Sequence, residues 1–223
     1  MKKITKLISV LTLIALTTSC GPLNDSDGIQ SAQIAQVAGF VLKDPAALEQ
    51  AVYEEINRIR ATYVDPTKTR VQEQKIPLVW NPNLQGVAFK HSEDIVARQF
   101  LSVSRCETIT YKTKTFQSCY PHLNPDLKTP WHRVDDANIP NTGVGENILG
   151  LPLSQINTST MTYKNIAEKM VELWMNSPGH RAIILDDNST AQTTYLKETG
   201  VGIVVDQNNY KMIIATQLFI RKK

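Results

Sequence analysis

No stretch of this 223-residue chain is both apolar and long enough to cross a bilayer. The longest apolar run, Leu7–Leu16, reaches roughly half of the ~20 residues a spanning helix needs. An excess of charge is missing too: 24 Lys and Arg face 21 Asp and Glu, a formal charge of +3. Lys2, Lys3 and Lys6 supply that surplus, so the rest of the chain is near neutral. Without a basic stripe there is no nucleic-acid partner, because phosphate neutralisation needs clustered Lys and Arg. Arg221-Lys222-Lys223 reads as a solvated end. Internal repeats, an HExxH motif and a nucleophile elbow are also absent, which removes the common helical zinc-protease and serine-hydrolase signatures. Cysteine is scarce, with three residues, and an odd count in an exported chain needs an explanation.

The N-terminus supplies it. A lysine-bearing start, the short apolar run and the small residues Thr17, Thr18 and Ser19 form a secretory signal peptide. Cys20 follows directly and resembles the bacterial lipobox cysteine, which is lipidated and becomes the new N-terminus. Residues 1–19 are therefore expected to be a lipoprotein signal, with the membrane as a partner through a lipid anchor at Cys20. The expected location is the cell envelope, extracytoplasmic, at an outer membrane or cell surface. Residues 20–43, polar and small apart from a weak apolar patch at Ile34 to Leu42, read as a tether. Residues 44–223 are long enough for one well-buried domain.

Cys106 and Cys119 then remain as a pair in an oxidising compartment. The segment between them is rich in Thr, Tyr, Phe and Ile with polar residues interleaved, which suits a β-hairpin. A Cys106–Cys119 disulfide pinning that hairpin is expected.

Asp44-Pro45 is a helix start, with Asp as N-cap and Pro at the first helical position. Leu48, Val52, Ile56, Ile59 and Tyr63 continue it at helical spacing, and a loop at Asp65-Pro66 ends it. Asn81-Pro82 repeats the signal, and Leu84, Val87, Ala88, His91 and Ile95 mark an inner face running to about Phe100. Residues 120–145 carry four prolines and read as loop. A third helix is expected over Thr162 to Asn176, with Tyr163, Ile166, Met170, Leu173 and Trp174 inward. Ser177 is placed to cap a short helix beginning at Pro178. The end is β: a buried strand Gly200–Val205, turn chemistry at Asp206–Asn209 and a partner strand Tyr210–Ile220. Helices followed by an antiparallel hairpin indicate an α+β layered domain.

Four histidines are candidates for chemistry. His91 lies on an apolar helix face and reads as a core histidine. His132, beside Trp131, reads as exposed. His122 and His180 sit in Pro- or Gly-containing segments at element boundaries, where functional side chains concentrate. Glu146 lies between Gly145 and Asn147, and Gly143 and Gly145 would let a tight turn present its carboxylate. Two imidazoles and a carboxylate suit a divalent metal with water completing the shell, or general acid–base chemistry.

Several segments resemble the CAP superfamily, the cysteine-rich secretory, antigen 5 and pathogenesis-related proteins, and especially its bacterial SCP-like branch. They are Val52-Tyr-Glu-Glu-Ile-Asn-Arg-Ile-Arg60, Pro77-Leu-Val-Trp80 with Leu84, and His122-Leu-Asn-Pro-Asp126 with Pro130 and Arg133. Gly145-Glu-Asn-Ile148, Trp174-Met-Asn-Ser-Pro-Gly-His-Arg181, and Gly200-Val-Gly202 with Gln217-Leu-Phe219 follow in order. The resemblance implies an α-β-α sandwich with a central antiparallel sheet and a cleft in which two His and two Glu often hold a divalent cation. It maps the first His to His122, one Glu to Glu146 and the second His to His180. The position of the second Glu is Ser177. The expected cleft is thus His122, Glu146, Asn147, Ser177 and His180, with His122 and His180 as ligands to a divalent cation such as zinc. Two functions follow. One is a non-catalytic binding module for a cation or a small, lipidic or protein ligand. The alternative is a metal-dependent peptidase or esterase with Glu146 as base. A serine hydrolase built on Ser177 and His180 is a distant third.

Overall fold

The computed structural model describes residues 42, 44–63, 76–157, 159–186 and 196–222. The signal peptide, Cys20, most of the tether and the Asp65-Pro66 break lie outside the described residues.

Four described helices begin with a short polar residue at the N-cap position followed by proline. At α1 (Pro45–Thr62) Asp44 Oδ1 accepts the Ala47 N–H at 3.0 Å. At α2 (Pro82–Arg98) Asn81 Oδ1 accepts the N–H groups of Asn83 and Leu84 at 2.9 and 3.1 Å. The third case, Thr129-Pro130, corrects the expectation of loop over 120–145, because it starts α3 (Pro130–Asp136). There the His132 Nδ1 accepts the Thr129 N–H at 3.2 Å, so His132 is a half-buried capping residue and not simply exposed. Helix α4 (Tyr163–Asn176) buries Ile166, Ala167, Met170, Val171 and Trp174. Leu173, expected inward, is 39% exposed, since the buried face centres on Met170 and Trp174 and leaves it at the rim. Helix α5 (Pro178–Leu185) follows at once.

A hairpin of β2 (Cys106–Tyr111) and β3 (Lys114–Cys119) pairs Cys106 with Cys119 in register, and the two are disulfide-bonded. It packs on α3, where Phe116 meets Trp131 with ring centroids 5.5 Å apart.

The main sheet has the order β1-β5-β6-β4, with β1 Val79–Trp80, β4 Gly143–Pro152, β5 Glu198–Asp206 and β6 Met212–Arg221. The three long strands are antiparallel, whereas β1 joins β5 in parallel. Alternation along β6 builds two layers. Ile213, Ala215 and Phe219 join the core of α1, α4 and α5. Ile214, Leu218 and Ile220 pack on the opposite side, with Ile95 of α2, with Leu84 and Ala88 of α2, and with Val134 of α3. The result is the expected α-β-α sandwich. Beyond the two residues of β1, β5 has no neighbouring strand on that side among the described residues. Glu49 of α1 stands in: its Oε1 accepts the Ile203 N–H at 3.0 Å and its Oε2 accepts the Gln85 amide at 3.1 Å.

Candidate functional site

Glu146 was expected in a tight turn, but it lies within β4. The local reason is that Gly143–Pro152 pairs residue by residue with Met212–Arg221, and glycine here serves packing, not turning. A Cβ at Gly145 would stand 3.0 Å from Ile183 Cγ2 of α5, so glycine lets α5 lie close on the strand. Successive side chains of β4 alternate between the two layers. Glu146 points to the α2–α3 side, and Asn147 points to α5.

On the first side, the Glu146 carboxylate is fully engaged. The His122 Nδ1 lies 3.0 Å from Oε1, and the Arg133 Nη2 donates to Oε2. The Glu146 side chain is 1% exposed and that of Arg133 9%. Burial alone would raise the Glu146 pKa, but the Arg133 guanidinium and the neighbouring histidines outweigh it and hold the group down at about 2. A carboxylate oxygen only accepts, so His122 Nδ1 is the donor in this contact. The other arm of Arg133 fixes the loop that carries His122. Its Nη1 donates to the backbone carbonyls of His122 at 3.1 Å and Lys128 at 2.8 Å.

On the second side, His180 sits in the first turn of α5. Burial, and then the charge of the nearby His122, lowers its pKa to about 4, so it is neutral at pH 7. Asn147 ties this turn to the sheet through Nδ2, which donates to the His180 carbonyl at 3.4 Å. The Asn147 Oδ1 and, across the register on β6, the Gln217 Oε1 are buried without a hydrogen-bond partner among the described residues. Ser177 occupies the N-cap position of α5, but its side chain makes no capping bond, a correction to the expected role. His91 is a core residue as read: it is 1% exposed, and its Nε2 lies 3.0 Å from the Pro121 carbonyl.

The fold therefore puts His122 against Glu146 and brings His180 near from the opposite layer. Arg133 is the residue whose role the sequence did not disclose. It stood in the motif after His122, but nothing in its spacing said that it would turn onto Glu146.

The donor set does not fit a divalent metal. Both Glu146 oxygens are committed, and a guanidinium stands beside them. Two imidazoles alone fall short of the three protein ligands that usually hold zinc at an open site. Among the described residues no cluster of three or more His, Cys, Asp or Glu side chains is arranged for a metal. None of the described helices is long and apolar enough to cross a membrane.

Residues 53–219 match the cysteine-rich secretory protein family, CAP. Two solved structures are similar. One is an extracellular protein containing an SCP domain from Bacillus anthracis, at 20% identity and TM-score 0.49, covering 88% of this chain and 45% of that one. The other is an outer surface protein from Borrelia burgdorferi, at 17% identity and TM-score 0.48, covering 81% and 96%. This chain thus spans less than half the length of the Bacillus anthracis protein. No curated protein matches. The family match, which takes in the elements from α1 to β6, makes this chain a member of the CAP, or cysteine-rich secretory protein, family.

Proposed function

We propose that this chain is a membrane-anchored lipoprotein, held through lipid on Cys20, whose extracytoplasmic CAP domain is a non-catalytic binding module. Its ligand is a small or lipidic molecule taken up in the cleft between His122 and His180, with Glu146 and Asn147 beneath. The observation that carries this reading is the state of Glu146. A general base at neutral pH needs a pKa near the working pH and a free oxygen. Glu146 has neither: its pKa is held at about 2, and Arg133 and His122 take its two oxygens. Hydrogen-bonding groups remain at the cleft, namely the second ring nitrogen of His122 and the ring of His180, which is neutral at pH 7.

The test is a turnover screen with fluorogenic ester and peptide substrates, with and without added zinc, on the lipidated protein extracted in detergent. No turnover is expected. Hydrolysis abolished by Glu146→Gln would overturn the reading in favour of the hydrolase. The anchor is tested separately: labelled fatty acid should enter the protein and be lost on Cys20→Ser.

A further inference from the structure

We propose that the Arg133 guanidinium is a tethered cation that stands in this cleft where a bound metal ion would otherwise neutralise Glu146. The argument starts from burial. A carboxylate at 1% exposure needs an opposite charge beside it, because an uncompensated buried charge is strongly unfavourable. The charge is supplied from within the chain. Arg133 reaches Glu146 Oε2 with Nη2, and its Nη1 is fixed by the carbonyls of His122 and Lys128 at 3.1 and 2.8 Å. The fork geometry of the guanidinium lets one side chain make these contacts together, which a compact ammonium would do less well. The remaining carboxylate oxygen accepts from His122 Nδ1 at 3.0 Å, so an entering dication would meet no free carboxylate and one fixed positive charge. Arg133 thus does two things a metal ion could do: it compensates Glu146, and it ties the His122 loop to the sheet.

This assignment has a consequence of opposite sign to ordinary loss of function. Removing the guanidinium frees Glu146 Oε2 and leaves a buried, uncompensated carboxylate beside His122. The missing positive charge then draws in a divalent cation, so metal uptake rises above that of the wild type. The proposal concerns the same cleft as the binding reading, but it stands whether or not the module has a small-molecule ligand, because its readout is metal uptake alone.

The experiment is calorimetric titration of zinc, at pH 7.5 with the full lipidated chain in detergent. It covers the wild type, Arg133→Met, Arg133→Lys and the double variant Arg133→Met/Glu146→Gln. Cobalt(II) absorption serves as an independent probe of coordination. Arg133→Met should bind one zinc at least tenfold more tightly than the wild type and give a cobalt spectrum the wild type lacks. Arg133→Lys, which keeps the charge, should behave like the wild type, and the double variant should lose the gain. If Arg133→Met unfolds without metal, thermal unfolding is followed with and without zinc. Rescue by zinc, absent in the double variant, supports the proposal, and no rescue overturns it. Wild-type binding as tight as that of folded Arg133→Met would also overturn it, as would a gain that survives Glu146→Gln.

Discussion

The side chain of Asn57 pairs with the backbone of Leu78 as a neighbouring strand would. Its Nδ2 donates to the Leu78 carbonyl at 3.0 Å, and its Oδ1 accepts the Leu78 N–H at 2.8 Å. Leu78 directly precedes the two-residue β1 at the sheet margin, where no strand among the described residues lies on the α1 side. Asn57→Ala should leave a backbone N–H without its partner at a buried residue. A loss of about 2 kcal/mol is expected, from two hydrogen bonds and the unmet donor. Urea unfolding read by circular dichroism would show it as a lower midpoint at unchanged slope.

Two glycine substitutions should move stability in opposite directions. A Cβ on Gly202 of β5 would lie 2.0 Å from the Phe89 backbone nitrogen of α2, and one on Gly200 would lie 2.2 Å from that of Gln85. Backbone cannot yield as a side-chain tip can, so Gly202→Ala should cost more than about 4 kcal/mol and abolish soluble expression. Gly86, inside α2, has nothing within 4 Å of its Cβ position. Gly86→Ala should therefore stabilise by about 0.5–1 kcal/mol through helix propensity. Thermal midpoints of the two variants beside the wild type check the signs.

These glycines also mark how far the sequence could be read. The Gly-Val-Gly of β5 was legible as part of a buried strand, and the cap-proline pairs at Asp44 and Asn81 located α1 and α2. The same pair at Thr129-Pro130 was equally visible, yet its helix buries only Pro130 and Val134, too few apolar positions to show a period. Strand β4 was obscured because Gly143 and Gly145 read as turn, although Ile148, Leu149 and Leu151 carried a strand signal. His122, Glu146 and His180 stood out by residue type and motif. The ion pair of Arg133 with Glu146 did not, because it depends on how α3 docks on an edge strand.

The disulfide should act on the hairpin alone. It links residues 13 apart at the open end of a two-stranded sheet that lies apart from the main one. Cys106→Ser/Cys119→Ser should lower global stability by at most about 3 kcal/mol. Amide exchange should speed in β2 and β3 while β5 and β6 stay protected. A free-thiol assay on the unreduced wild type should find neither Cys106 nor Cys119.

His91 should set the upper part of the acid limb. Burial, and next the charge of Arg133, lowers its pKa from 6.5 to about 4, against the opposing pull of Glu146, Pro121 and Asp94. The folded protein therefore holds His91 neutral, while the unfolded chain takes up a proton near pH 6.5. Stability is fully present above that value, and protonation of the unfolded state removes it as pH falls from about 6.5 to about 4, by up to ~3 kcal/mol. The half-buried His180, also lowered to about 4, adds a slope of the same sign. Glu146 works lower down: its folded pKa is depressed, so its contribution persists above the ordinary carboxylate range and is lost as pH falls towards about 2. His91→Gln keeps an amide N–H for the Pro121 carbonyl but does not titrate. Its urea midpoint should fall less than the wild type's between pH 7 and pH 4.5, and the two should run parallel below pH 4. Equal slopes between pH 7 and pH 4.5 would show that His91 is not the group that yields first to acid.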